Sequence, residues 1–488
     1  MAEPGWRTIS AVLLSFTVVW WAYGVITHQG MALHDDVTEA YVWGREFQLG
    51  YNQHPPFWAW LSGAWFLVFP RQDWAALLLG VATAAAGLLG AWFLIGRFAT
   101  GATRQAAWLL LLCTPFYTFN SFKYNANSIF LLIWPWTLLC CLRAIQSRRI
   151  LDALLLGVMI AMALLSKYYA ITLVLTCIAA SVLDANARAY WRSASPWVSI
   201  ALSAVLVLPH LVWLIHNDAP PVRYAIGISG VGFAGVARQS VTVLAAAIGL
   251  QLAIPALIWL TRRRKAGGVR FGDLRTLAVL TLLPFALTLG FGLALGVRVA
   301  PAMVIGIFPL APLLLIAMTP GADPARLVWW ASRVVVLGSL ACVASAPISV
   351  RLLHRSTDPG WALPLREAAK AAEARWREAT GGKPLVTVGG SKYFSNAAAF
   401  YSDDHPSGLL SLDVSLAPWV TPEQLRRGGL LGMCLREDGP WDDGMCRAQA
   451  ARLATPRTVR SSITVTHTAF GRPRGAATLD IYVTPPEP

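Results

Sequence analysis

The stretch His34-Asp35-Asp36-Val37-Thr38-Glu39-Ala40-Tyr41-Val42-Trp43, followed by Gly50-Tyr51-Asn52-Gln53-His54-Pro55-Pro56, interrupts a chain that is otherwise mostly apolar. Two adjacent aspartates with Glu39 close by, and two histidines, fall within residues 34–54, just past the first long apolar run. Ionisable groups beside a membrane-spanning segment are costly, and where they gather they mark a site or a solvated loop. Which of these applies depends on what surrounds the stretch.

The surroundings are those of an integral membrane protein. Of 488 residues, 56% are hydrophobic and 13% charged, against roughly 25% charged in soluble domains. The 22 tryptophans fit membrane interfaces. The net charge of +15 is accounted for by arginines in short loops, which set orientation, so nucleic acid is not implied. Neither zinc-type Cys/His spacing nor a P-loop nor a dinucleotide fingerprint is present. No metal or cofactor is therefore expected. The N-terminus runs into its first apolar segment without a small-residue cleavage site, which reads as a retained helix.

About 20 apolar residues cross a bilayer. Such runs lie near 8–27, 74–96, 105–120, 128–142, 150–166, 168–183, 195–215, 239–260, 276–296, 303–318 and 327–346, about eleven spans. Residues 57–69 read as either a re-entrant segment or a further span. Arg7, Arg97, Arg104, Arg143, Arg148, Arg149, Arg188, Arg192, Arg262, Arg263, Arg264, Lys265, Arg270, Arg275 and Arg326 fall on one side. The positive-inside rule makes that side, and the N-terminus, cytoplasmic. The opening stretch, the loop around Lys123, Lys167-Tyr168, His216, Arg223 and Arg298 then all face outward. The expected organisation is an α-helical transmembrane domain over 1–346, with its first outer loop at 28–73, and a soluble α/β domain over 347–488.

In that tail, Leu365 to Ala379 has helical spacing, and Ser395 to Tyr401 reads as a helix. Leu385 to Gly390, Ser461 to Thr466 and Leu479 to Thr484 read as strands, and Asp403 to Pro406 as a loop. Cys113, Cys140, Cys141, Cys177 and Cys342 lie in apolar runs, where a thiol acts as a small hydrophobe. Cys434 and Cys446 lie in the polar tail and are expected to pair if it faces an oxidising compartment. The chain shows neither an internal repeat nor a low-complexity segment, which weakens an inverted-repeat transporter.

Asp36 to Leu49 has a helical rhythm, with Val37, Tyr41, Val42, Phe47 and Leu49 available to lie on the membrane. Asp36, Glu39 and Trp43 share a face. A helix starting near Asp35 puts Asp36 at its positive end, favouring the ionised carboxylate. That carboxylate suits a general base or the orientation of a cation. One aspartate, Asp35, is expected to cap the helix. Lys167 between apolar runs costs a few kcal/mol unless it snorkels or finds a partner, and a lipid phosphate is the natural anion. Arg298, Lys123 and Arg223 make weaker versions of that argument. His54 before two prolines reads as a site or a structural histidine.

These residues resemble a known family. Asp36-x-x-Glu39-x-x-x-Trp43, then Leu49-Gly50-Tyr51-x-x-His54-Pro55-Pro56-Phe57-x-x-Trp60, resembles the first outer loop of GT-C type membrane glycosyltransferases. The resemblance is to family 39, the protein O-mannosyltransferase-like superfamily, in its bacterial branch of lipopolysaccharide aminoarabinose and galacturonic acid transferases. Leu165-Ser166-Lys167-Tyr168 and Pro209-His210-Leu211-Val212-Trp213 are similar to further family segments. The resemblance spans roughly residues 8–320 and implies a polyprenyl-phosphate sugar donor, a glycolipid or glycan acceptor outside the cytoplasm, and inverting displacement. It implies a multi-pass protein of the bacterial inner membrane with a periplasmic tail, and an acidic residue of the first loop as the catalytic one, Asp36 by position with Asp35 one place away.

The expected site is thus Asp36 and Glu39 as catalytic carboxylates. Asp35, Lys167, Tyr168, Arg298, His54, Lys123, His216 and Arg223 are expected to bind substrate. Asn125 and Asn127 stand where relatives often carry an aspartate, and no role is carried onto them. The protein is expected to act as a monomer. The alternatives are a flippase or transporter of a lipid-linked sugar, and a non-catalytic scaffold.

Overall fold

The computed structural model describes residues 3–227, 232–263, 273–353, 363–436, 444–469 and 472–488. Arg264, Lys265 and Arg270, used above for orientation, lie outside them. In chain order the first helices are α1 (Trp6–Thr27), α2 (Asp35–Gly44), α3 (Phe57–Val68), α4 (Asp73–Ile95), α5 (Gly101–Leu112) and α6 (Phe130–Ser147). Then come α7 (Ile150–Leu164), α8 (Ile171–Leu183), α9 (Ala187–Trp191), α10 (Ser195–His216), α11 (Pro220–Gly227) and α12 (Gly232–Gly249). After these follow α13 (Ala253–Thr261), α14 (Leu274–Leu295), α15 (Ala311–Met318) and α16 (Pro324–Leu353).

The protein is a multi-pass membrane protein. Among the described residues, seven helices (α1, α4, α6, α10, α12, α14 and α16) are long and apolar enough to cross a bilayer alone. Three expected spans are interrupted, each for a backbone reason. Near 105–120 the helix stops at Leu112, ahead of Pro115, which has no N–H to continue the ladder. Residues 239–260 divide into α12 and α13 after Gly249. In 303–318 regular helix begins at Ala311, with Pro312 in its first turn. The segment at 57–69 is α3, whose 12 residues reach about 18 Å at 1.5 Å each. That falls well short of the roughly 30 Å hydrocarbon core.

The chain forms two compact units. The first comprises Met1–Tyr23, Gln53–Trp58 and Leu77–Ala344. Its interior is aromatic: Trp58, Tyr124, Phe130 and Trp134 are fully buried. Tyr124 Oη donates to the Trp58 carbonyl at 2.7 Å, and Trp108 Nε1 to the Leu88 carbonyl at 2.8 Å. Such bonds satisfy polar handles that burial would otherwise strand.

The second unit comprises Gly24–Asn52, Ala59–Ala76 and Ser345–Pro488. The segment that follows α1 therefore folds together with the tail. Tail helices α17 (Leu365–Thr380) and α18 (Lys392–Tyr401) pack on each other and on a five-stranded sheet. Its strands are β1 (Thr387–Gly390), β2 (Ser407–Leu410), β3 (Leu430–Leu435), β4 (Val459–Ala469) and β5 (Arg472–Thr484), in the order β2-β1-β3-β5-β4. β1 runs parallel to β2 and β3, while β5 is antiparallel to β3 and β4. The short buried strands β2 and β3 are additions to the sequence reading, and α18 begins three residues before the expected Ser395.

Helices α2 and α3 approach so closely that only glycine fits the crossing. A Cβ on Gly44 would lie 2.5 Å from the Gly63 nitrogen, and one on Gly63 2.6 Å from the Gly44 carbonyl carbon. At the end of β1, Gly390 has φ +133°, a conformation side chains avoid. This turn delivers Ser391 and Lys392 to the start of α18.

Cys434 of β3 and Cys446 are joined in a disulfide, buried against Leu409, Leu412, Ala417, Val420 and Leu430. The bond closes a loop with a sequence separation of 12, for which chain-entropy arguments give about 3 kcal/mol. Reducing it, or replacing both cysteines by serine, is expected to lower the thermal midpoint of the tail's unfolding by several degrees. Differential scanning fluorimetry with and without dithiothreitol measures this, and an unchanged midpoint would count against a stabilising bond.

Candidate active site

Helix α2 begins where the sequence first turns acidic, and histidine starts it. His34, with φ −57° and ψ 143°, takes the N-cap, its Nδ1 accepting the Asp36 N–H at 3.2 Å. The expectation that Asp35 caps this helix is therefore corrected: Asp35 is its first residue. Asp35 and Asp36 lie in the first turn, where the unpaired N–H groups favour negative charge. The same His34 nitrogen sits 2.9 Å from Asp35 Oδ1, so the tautomer decides which of the two bonds it makes.

The helix is buried on nearly every side. Val37, Tyr41 and Val42 do not lie on a membrane, as their rhythm suggested. Tyr41 meets Phe66 and Phe400 edge-on at 5.3 and 5.2 Å, and Val42 packs on Gly408. Trp43 stacks on Tyr51 at 5.0 Å, and Tyr51 Oη donates to the Trp43 carbonyl at 2.6 Å. Regular helix ends at Gly44, short of Leu49, and Phe47 and Leu49 are exposed.

This packing separates three carboxylates by exposure. Asp35 and Glu39 are 4% and 3% exposed, whereas Asp36 is only half-buried. Lys392 Nζ lies 3.1 Å from Glu39 Oε1 and 3.6 Å from Asp35 Oδ2. Burial raises the Glu39 carboxyl to about 7; Lys392 opposes that rise, and Asp36 and Asp35 add to it. Burial disfavours the Lys392 ammonium, but Glu39, Asp35 and Asp36 outweigh it and hold the lysine charged.

His34, Asp35 and Asp36 offer three donor atoms within 4.8 Å of one another, a group that could hold a metal ion. The chemistry of the set does not require one. His34 Nδ1 already faces both Asp35 and the Asp36 N–H, and the Lys392 ammonium supplies positive charge at Asp35.

The remaining sequence candidates belong to the first unit or its helix ends. Lys167 Nζ donates to Asn127 Oδ1 at 2.6 Å and lies 6.0 Å from the centre of the Tyr169 ring. Asn127 is thus a partner the sequence reading left without a role. Asn125 shapes the same turn, its Oδ1 accepting the N–H groups of Asn127 and Ser128 at 2.8 and 3.0 Å. Tyr168 Oη sits 3.0 Å from His210 Nε2, and the His210 ring stacks on Trp213 at 6.1 Å.

His54 meets Trp58 edge-on at 5.9 Å, and Lys123 follows the short turn Phe119–Phe122. His216 donates from Nδ1 to the Val212 carbonyl of its own helix at 2.8 Å. Arg223 on α11 and Arg298, just past α14, are exposed. The structure so brings Asp35, Asp36 and Glu39 onto Lys392, Lys167 onto Asn127, and Tyr168 onto His210.

Sequence reading missed Lys392. A signal existed, because a lysine in the first turn of a helix opposes the dipole and calls for an acidic neighbour. What the sequence lacked was which acids those were.

Two solved structures match over nearly the whole chain: ArnT from Cupriavidus metallidurans bound to undecaprenyl phosphate, and the same protein in its apo state. The likeness covers 97% of each chain at TM-score 0.57, with 15% and 14% identity. The fold is the GT-C fold of ArnT. Residues 53–213 also match the family described as dolichyl-phosphate-mannose-protein mannosyltransferase. That segment holds His54, Lys123, Asn127, Lys167, Tyr168 and His210, while α2 precedes it. A curated relative, the lipid A galacturonosyltransferase RgtD of Rhizobium johnstonii, is 26% identical over 274 residues, 52% of this chain and 54% of the relative. The chain spans about half the length of that relative.

Proposed function

We propose that the protein is an integral membrane glycosyltransferase. In this reading it moves a sugar from a polyprenyl-phosphate donor to lipid A, lipopolysaccharide or another envelope glycan outside the cytoplasm. The observation that carries the reading is α2, an acidic helix in a GT-C fold with two carboxylates buried on a lysine and Asp36 left partly exposed. RgtD acts on lipid A by its name, and one ArnT structure holds undecaprenyl phosphate, which favours the same substrate classes here.

The chemistry needs one bond broken and one made. The sugar's anomeric carbon parts from the donor phosphate oxygen, which leaves with the bonding pair as polyprenyl phosphate. An acceptor oxygen takes its place. If that oxygen is a sugar hydroxyl, its proton must go to a base, and Asp36 fills that role. If it belongs to a phosphate already ionised near neutral pH, Asp36 instead orients the sugar. Cations that meet the developing phosphate charge stabilise the transition state, and Lys167 and Arg298 are the candidates. Whether the sugar is a hexose or a pentose is open to the same assay.

The proposed setting is the bacterial inner membrane, with the N-terminus cytoplasmic and the tail periplasmic. The buried disulfide supports that side for the tail, because such bonds persist in oxidising compartments. Purified protein in detergent, given a polyprenyl-phosphate sugar and lipid A, is expected to yield glycosylated lipid A by mass spectrometry. A flippase would show no turnover without two compartments, so product-free incubation across a panel of donors and acceptors would reverse the reading.

A further inference from the structure

Lys392 sits at a place that helix electrostatics disfavours, the first residue of α18, where a cation meets the positive end of the dipole. Its surroundings account for it. Helices α2 and α18 pack together: Tyr41 meets Phe400 edge-on, and the Leu33 N–H donates to Tyr401 Oη at 2.8 Å. This contact lays the Lys392 ammonium over the acidic turn, 3.1 Å from Glu39 and 3.6 Å from Asp35.

We propose that Lys392 is a positioning residue of the transfer reaction, whose ammonium holds Asp35 and Glu39 as its counter-ions and so sets the acidic turn that carries the half-buried Asp36. The proposal rests on the reading of the protein as a transferase acting through Asp36.

Three carboxylates within two turns of one helix repel each other, and crowded carboxylates take up protons. A proton shared among them would neutralise the base and let its side chain turn toward its neighbours. The charges acting on the Lys392 ammonium are those of Glu39, Asp35 and Asp36, and those acting on Glu39 are Lys392, Asp36 and Asp35. His34 Nδ1 lies 2.9 Å from Asp35 Oδ1 as well. Without the ammonium, Glu39 loses the charge that opposes the rise of its carboxyl and holds its proton to higher pH. The working form of Asp36 is the carboxylate, so activity is lost sooner on acidification. The lysine comes from a tail segment far along the sequence, so the tail contributes directly to how the first loop works.

The test measures kcat and KM against pH for the full-length protein in detergent, with a polyprenyl-phosphate sugar and lipid A. The variants are Lys392→Arg, Lys392→Met, Lys392→Met/Glu39→Gln and, as reference, Asp36→Asn. Lys392→Met is expected to lower kcat on the order of 10²-fold by misplacing the base, with donor KM near wild type. Its acid limb is expected to move up by about one to three pH units. Lys392→Arg keeps the limb in place, and the double variant recovers part of kcat.

A wild-type profile in Lys392→Met overturns the proposal, as does Lys392→Arg shifting as far as Lys392→Met. If Lys392→Met does not fold, the double variant decides, because it removes one buried carboxylate along with the lysine. Its limb is still expected above wild type, and an unmoved limb overturns the proposal. An inactive wild-type protein, or a fully active Asp36→Asn, overturns the transferase reading and this proposal with it. Failure of the proposal alone shows as an active wild type, an inactive Asp36→Asn and an unshifted Lys392→Met.

Discussion

Asp36→Asn is expected to leave a folded, membrane-inserted protein whose transfer rate is lower by about 10²–10⁴-fold, the contribution of a positioned general base. In free energy that is about 3–5 kcal/mol of barrier. The cost to the fold is far smaller. The start of α2 is secured by His34, which accepts the Asp36 backbone N–H and not its side chain. Losing one acidic charge from the first turn costs only about 0.3–1 kcal/mol. Activity and stability should therefore separate cleanly: the thermal midpoint moves by a few degrees at most while turnover collapses. Near-normal turnover would show that another group handles the acceptor. The pH dependence refines the outcome. If the acceptor is a hydroxyl, wild-type kcat falls on acidification as the carboxylate is protonated. With a phosphate acceptor the asparagine variant keeps a larger residual rate, since no proton needs removing.

Lys167→Met carries the second large effect, a fall in kcat of roughly 10²–10³-fold, typical of deleting one group that meets developing charge. The structure gives this lysine a fixed direction. Asn127 accepts from its ammonium at 2.6 Å, and a neutral amide orients a cation without cancelling its charge. Methionine preserves the aliphatic stem and its contacts with the surrounding apolar segments, so the substitution reports on charge more than on packing. Steady-state kinetics with varied donor separates the possibilities. Loss confined to donor KM would mean that Lys167 only binds the ground state. A fall in kcat places it at the departing phosphate. Unchanged values of both would remove it from the site.

Much of this architecture is legible in the sequence because lipid imposes a strong rule. Long apolar runs must become helices, and α1, α4, α6, α10, α14 and α16 stand close to where hydropathy puts them. The rule weakens where proline intervenes, as at Pro115 and Pro312, since hydropathy counts side chains and is blind to a missing N–H. In the tail the paired strands β4 and β5 are readable from alternation. The four-residue β2 and the fully buried β3 are not, because a strand buried on both faces carries no period.

The site divides along similar lines. Asp35, Asp36 and Glu39 announce themselves by charge in an apolar setting. The burial of Val37, Tyr41 and Val42 does not, since an apolar stripe looks the same whether it meets lipid or protein. What Lys392 pairs with was out of reach for a plainer reason. Its partners lie more than three hundred residues earlier, and no local pattern records a contact across that distance.

The pairing of Glu39 with Lys392 across the sequence has a consequence for how the protein is made. The two residues are separated by 392 − 39 = 353 positions. At synthesis rates of roughly 5–20 residues per second, the acidic helix exists for about 20–70 s before its lysine has been polymerised. During that interval every span is threaded while the carboxylates of α2 stand without their final counter-ion. The acidic loop is thus among the first parts of the chain to be made and among the last to be finished. A ribosome that stops before the tail leaves behind an inserted protein whose acidic helix has not yet been set.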